Sequence, residues 1–145
     1  MNNCLEGKFI YFTQKELENG QTIPDELYNN ITPTASILDL LRTEYGNPIY
    51  INSTYRSPEY NKAVGGKTKS LHLDFNAIDF SVQNKKDLKM LYDLLDNWDK
   101  EDDKFAFFVS LPKKKGNMGL GLYKTFIHLD VRSVLNKTAP ARWKS

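Results

Sequence analysis

Two histidines occur in this 145-residue chain, His72 and His128, and each stands in a short alternating segment with carboxylates close behind it. The segments are Ser70-Leu-His-Leu-Asp-Phe-Asn-Ala-Ile-Asp79 and Phe126-Ile-His-Leu-Asp-Val-Arg132. A catalytic zinc site needs two or three imidazole or carboxylate ligands and an open position, and His72, Asp79 and His128 supply that set at its smallest. A fold that uses them must bring both segments together, which constrains the architecture before any helix or strand is assigned. Spacing alone leaves the plainer alternative open, in which each histidine is a structural side chain of its own element.

The length suits a single domain, residues 1–145, with a real hydrophobic core. Apolar residues at 40% and charged residues at 26% are ordinary globular values and argue against disordered, collagenous and disulfide-stapled classes. A net charge of +2 offers no basic stripe for nucleic acid, and the run Lys113-Lys114-Lys115 sits in a glycine-containing loop and is expected to be solvated. Nucleic acid is therefore not expected as a partner. Cys4 stands alone, which excludes an intrachain disulfide and a cysteine zinc site and leaves a buried or terminal thiol. The opening residues lack the basic stretch and apolar core of a secretory signal, and no apolar run approaches the roughly 20 residues of a membrane span. The expectation is a monomer made and kept soluble in the cytoplasm, which reaches a target outside the membrane only if something else releases it.

Local signals place the motifs. Thr13-Gln-Lys-Glu16 reads as a capping box for a short helix that stops at Gly20. Thr32-Pro33 supplies an N-cap and an N1 proline for a helix carrying Ile37, Leu38, Leu41 and Tyr45 and ending at Gly46. Ile49, Tyr50, Ile51 and Tyr55 favour a strand, and Ser57-Pro58 then starts a brief helix that Gly65-Gly66 terminates. His72 falls on or just after a loop. In the strand predicted over Ala77 to Val82, Asp79 shares a face with Ala77 and Ser81, opposite Ile78, Phe80 and Val82. Asn84 caps a helix whose Leu88, Leu91, Leu94, Leu95 and Trp98 form a core stripe. Phe105 to Val109 predicts an apolar strand. Leu120 to Val131 predicts a two-stranded ribbon bending at Lys124-Thr125, with His128 and Asp130 on one face and Ile127, Leu129 and Val131 on the other. No regular βαβ rhythm appears, so the fold class is α+β, with helices packed on an antiparallel sheet.

On one zinc, His72, Asp79 and His128 leave a fourth position for water, whose pKa the metal lowers to about 7. Amide hydrolysis also needs a carboxylate to carry the proton and a cation for the developing oxyanion, for which Asp130 and Arg56 are the candidates.

The run Ser53-Thr-Tyr-Arg-Ser-Pro-Glu-Tyr-Asn-Lys-Ala-Val-Gly-Gly66, then Ser70-x-His72 with Asp79, then His128-x-Asp130-x-Arg132 and a final Ala141-Arg-Trp143 resembles the zinc D-Ala-D-Ala carboxypeptidase family of bacteria and their phages. These belong to the hedgehog-like metallopeptidases. The Phe12-Thr-Gln-Lys-Glu-Leu17 opening and the Pro33 helix also match, so nearly the whole chain is covered. The resemblance implies an α+β fold, one zinc on His72, Asp79 and His128, and hydrolysis of peptide bonds in peptidoglycan. It implies that Arg56 holds a substrate carboxylate or polarises its carbonyl, against the alternative of a surface arginine bracing the Ser57-Pro58 turn. For Ser70 it implies a hydroxyl that binds substrate or orients the histidine. Many relatives carry glycine where Phe75 stands, from which a narrower cleft is expected. In several branches the base is an acid three residues before the last histidine; here that residue is Thr125, and Asp130 takes its place as base or as a partner fixing the His128 tautomer.

These readings lead to a zinc metallopeptidase of the lysin type, acting on stem peptides or cross-bridges as a carboxypeptidase or an endopeptidase. The alternative is a non-catalytic module that keeps the fold and binds muropeptide or protein. A metal-dependent nuclease is disfavoured, because no basic face accompanies the site.

Overall fold

The computed structural model describes residues 2–101 and 109–145. Helix α1 (Gln14–Glu18) carries the expected capping box: the Thr13 hydroxyl accepts from the Glu16 N–H, and the Glu16 carboxylate accepts from the Thr13 N–H. Helix α2 (Thr32–Tyr45) is entered from a 3₁₀ turn over Asp25–Ile31 that runs straight into it, so Thr32 is its first residue rather than its cap. Gly46, at φ 76, ends it in the left-handed conformation. Strand β1 (Tyr50–Ser53) leads to α3 (Pro58–Ala63), whose first turn is capped by the Ser57 hydroxyl. Strand β2 (Ala77–Ser81) leads through a 3₁₀ turn capped by Asn84 to α4 (Leu88–Glu101). Strands β3 (Gly119–Leu122), β4 (Ile127–Asp130) and β5 (Ala141–Lys144) follow. The strand expected at Phe105 to Val109 lies outside the described residues except for Val109, which stands in a turn.

The strands form one sheet in the order β1-β2-β4-β3-β5. The α+β class holds, but the sheet is mixed rather than antiparallel throughout. β5 runs parallel to β3, reached by a crossover that starts with the 3₁₀ turn Arg132–Leu135. Ile37, Leu38 and Leu41 of α2 and Leu91 and Leu95 of α4 are fully buried in one core with Ile78, Phe80, Leu120, Ile127 and Leu129 of the sheet. Each such side chain gains about 1.5–3 kcal/mol by leaving water, and a one-residue slip of any strand would turn that set outward. The opposite face is thereby fixed. Across it, Ser53, Asp79, His128, Gly121 and Trp143 align in one row, and Ala77, Asp130, Gly119 and Ala141 in the next.

Arg142 secures the last strand. Its guanidinium donates to Asp96 and to the buried Asp99, both at 2.7 Å, and to the Met118 carbonyl at 2.8 Å, joining β5 to α4 and β3. Among the described residues no helix is long and apolar enough to cross a membrane.

Candidate metal centre

His72 lies in consecutive turns between α3 and β2. The Ser70 hydroxyl accepts from its backbone N–H at 3.2 Å, and its carbonyl accepts from the Arg56 N–H at 3.1 Å. The imidazole is buried, with Nδ1 2.5 Å from the Thr54 carbonyl, so the ring proton sits on Nδ1 and is donated there. Nε2 is then a buried acceptor without a hydrogen-bond partner, standing 3.1 Å from Asp79 Oδ1 but out of bonding alignment. A buried polar atom left so costs about 1–3 kcal/mol unless something else satisfies it.

The sheet brings the other two residues to that atom. Asp79 on β2 faces His128 on β4 in register, and His128 Nδ1 lies 2.9 Å from Asp79 Oδ1. On its far side, His128 Nε2 lies 2.7 Å from Asp130 Oδ2. Asp130 is fully buried and takes a paired grip from Arg132, whose Nε and Nη2 donate to its two oxygens at 2.9 Å each. Asn76, also fully buried, ties the two ligand-bearing segments together. Its Oδ1 accepts from the Val131 N–H at 3.0 Å, its Nδ2 donates to the Asn30 carbonyl at 2.9 Å, and its own carbonyl accepts from the Thr34 hydroxyl at 2.6 Å.

The charges follow from this packing. Burial alone would raise the Asp79 carboxyl, but the hydrogen bond and positive charge of His128 outweigh it and hold the group well below the usual carboxylate range. Asp130 is likewise held low against its burial, by His128 and Arg132. Burial works against the His128 imidazolium, yet its bonds to Asp130 and Asp79 prevail and push it up to about 9. Without metal, His128 is therefore a cation donating to both carboxylates at neutral pH.

The fit to a metal rests on these atoms. A buried imidazole nitrogen without a partner, a carboxylate and a second imidazole offer ligand atoms all within 4.8 Å of one another, the donor chemistry that suits zinc.

The three residues form the floor of a cleft of about 540 Å³. Arg56, expected at a substrate, stands at its edge with Nη2 3.6 Å from Asp79 Oδ2 and Nη1 donating to Asn61 at 3.4 Å. It points into the cleft rather than bracing the Ser57-Pro58 turn. Ser70 lines the cleft while its oxygen accepts from the His72 N–H. Asp130 lies on the His128 nitrogen turned away from Asp79, with both oxygens engaged, which is the geometry of a tautomer-fixing partner and not of a free base. Asp74, the next carboxylate after His72, pairs with Lys137 at 3.4 Å and does not line the cleft.

Phe75 corrects a further expectation. At φ 53 it takes the left-handed backbone conformation that favours glycine, and its ring turns into the core, edge-on to Tyr28 and Tyr55. It lines no part of the cleft and does not narrow it.

Other residues of the site were given no role by the sequence, Trp143 standing only as the end of the Ala141-Arg-Trp143 motif. Trp143 packs its indole against the His128 ring, 5.1 Å between centroids, and donates from Nε1 to the Tyr123 hydroxyl at 2.9 Å. Tyr123 stacks on Phe126 at 4.3 Å, completing an aromatic wall. Gly119 and Gly121 make room beneath it: a Cβ at Gly121 would lie 2.2 Å from Trp143 Nε1, and one at Gly119 would lie 2.6 Å from the Asp130 carboxylate and the Arg132 guanidinium. The alternation Gly119-x-Gly121, opposite Asp130 and His128 in a ribbon, was the signal available for them.

A family model described as Peptidase M15 matches residues 8–130, which take in all three candidate ligands. The chain belongs to the M15 peptidase family. Members of this family are zinc metallopeptidases, in accord with the donor set on the floor of the cleft. The M15 match ends at Asp130, so Arg132 and Trp143 lie beyond the matched residues, and their contacts with Asp130 and His128 place them in the site. No curated protein matches the chain at a significant level.

Proposed function

We propose that this M15 family member is a zinc peptidase that hydrolyses peptide bonds of peptidoglycan, in stem peptides or cross-bridges. The observation that carries the reading is the unpartnered Nε2 of His72 on the cleft floor, facing Asp79 and His128. A zinc ion held by these three residues would supply Lewis acidity toward the scissile carbonyl and the attacking water. The protein's own groups prepare the rest. Arg132 fixes Asp130, and Asp130 accepts the Nε2 proton of His128, leaving Nδ1 with its lone pair toward Asp79. The Arg56 guanidinium grips a carboxylate or carbonyl oxygen of the peptide, for which its planar paired donors are suited. Ser70 holds the turn that presents His72, and the Tyr123-Phe126-Trp143 wall packs against apolar parts of the substrate.

One observation favours a second reading, a module that binds muropeptide without turnover. Among the described residues the acids lining the cleft are Asp79 and Asp130, and both are engaged, so no carboxylate stands free to take a proton from water. Digestion of purified peptidoglycan, read by mass spectrometry beside the zinc content, separates the two. About one zinc per chain with new peptide termini supports the peptidase, and zinc without cleavage supports the module. Full metal occupancy in both His72→Ala and His128→Ala overturns the site itself.

A further inference from the structure

Opposite the aromatic wall the cleft is closed by the segment from Val64 to Ser70, and this wall is cationic. Lys67, Lys69 and Arg56 all line the cleft, and among the described residues neither lysine has a carboxylate partner. The Lys67 ammonium instead lies over the Trp143 ring, 5.5 Å from its centroid, which brings it across the mouth of the cleft.

The segment is built rather than loose. Asn61, only 4% exposed, donates from Nδ2 to the Lys67 carbonyl at 2.9 Å while its Oδ1 accepts from Arg56 Nη1 at 3.4 Å. The Gly66 N–H donates to the Asn61 carbonyl at 2.8 Å, and the Ser70 N–H to the Lys67 carbonyl at 3.1 Å. A Cβ at Gly66 would fall 2.0 Å from Asn61 Oδ1, so glycine is what lets the chain close over this amide. One buried side chain thus sets the backbone that carries Lys67 relative to Arg56. The acids of the cleft lie on its floor and are already paired, so the cations at the mouth are left to an outside anion.

We infer that Lys67 and Lys69 form an anion subsite at the mouth of the cleft, which takes a free carboxylate flanking the scissile bond, apart from the group held by Arg56. The inference rests on the peptidase reading for its substrate and narrows it to acidic peptides. The subsite explains why the mouth carries unpaired cations while the floor is balanced.

The test uses two muropeptides of equal length, one with the α-carboxyl of its D-glutamyl residue free and one with it amidated. Each is titrated calorimetrically into the metal-loaded protein, and the peptide is recovered afterwards and examined for cleavage. The free acid should bind about tenfold more tightly, as two partly exposed ion pairs allow, and the preference should shrink in high salt. The double variant Lys67→Gln/Lys69→Gln should bind both peptides alike with its metal content unchanged. Equal affinities in the unaltered protein, or a preference that survives in the double variant, overturn the subsite. Discrimination in binding without any cleavage keeps the subsite and overturns the peptidase reading, whereas cleavage of both peptides with equal affinity does the reverse.

Discussion

Phe75→Gly and Phe75→Ala separate two effects that this position combines. Both variants lose a fully buried ring with edge-on contacts to Tyr28 and Tyr55, a loss of about 3–5 kcal/mol for phenylalanine to alanine in a packed core. They differ in the backbone. At φ 53, alanine keeps the left-handed strain of about 1–2 kcal/mol that the native residue already bears, while glycine has none. Against that, glycine loses about 0.5–1 kcal/mol more chain entropy on folding. Phe75→Gly should therefore be the more stable of the two by about 0.5–1 kcal/mol, the reverse of the usual order. Urea unfolding of both variants with a chelator present removes any difference in metal binding from the comparison. An alanine variant equal to or more stable than the glycine variant would refute the assignment of backbone strain.

Asp130→Asn should weaken zinc affinity about 10- to 100-fold and recover activity in excess metal, because Asp130 acts through His128; a loss of roughly 10²- to 10⁴-fold in activity at full zinc occupancy would restore it as the base. Since His128 is held protonated up to about 9 without metal, zinc uptake at pH 7 should release close to one proton. Apparent affinity should then rise about tenfold per pH unit until pH passes that value, as calorimetry in buffers of different ionisation enthalpy would show. In the metal-free protein the same raised value sets the opposite trend: stability from this imidazole is full below the unfolded value of 6.5 and is lost as pH rises through about 9, seen by thermal melts with chelator. Gly121→Ala should cost about 1–3 kcal/mol and shift the tryptophan fluorescence, because its methyl displaces the indole from the Tyr123 hydroxyl; in a Trp143→Ala background it should be close to neutral.

Asp79 and His128 were legible as a pair because strand alternation puts each on one face of its strand, β2 and β4, whereas His72, in turns, was singled out by its residue type alone. The same alternation put Asp130 beside His128. It carried no information on the imidazole's orientation or on the arrival of Arg132, and those contacts turn Asp130 from a free acid into a clamped one. Trp143 was named in the closing motif without a role for a different reason: its place beside His128 depends on β5 lying parallel to β3, a long-range pairing that four residues of mixed polarity do not signal. Phe75 read as an intrusion because an apolar residue in a glycine position says nothing about which way its ring turns. In the lysine run Lys113, Lys114 and Lys115 are exposed, but Lys113 is not left to water: its ammonium donates to the Ala139 carbonyl at 3.0 Å.

The buried amide of Asn76 makes the two histidine-bearing segments one mechanical piece. It holds the start of β2, the residue after β4 and the entry to α2 at once, so the segments that carry His72 and His128 share one buried brace. A donor set of imidazole and carboxylate is by itself tolerant of many divalent metals. Asn76→Ala, which leaves all three donors in place, should therefore widen the range of divalent ions bound, and competition titrations of zinc against larger ions would show it.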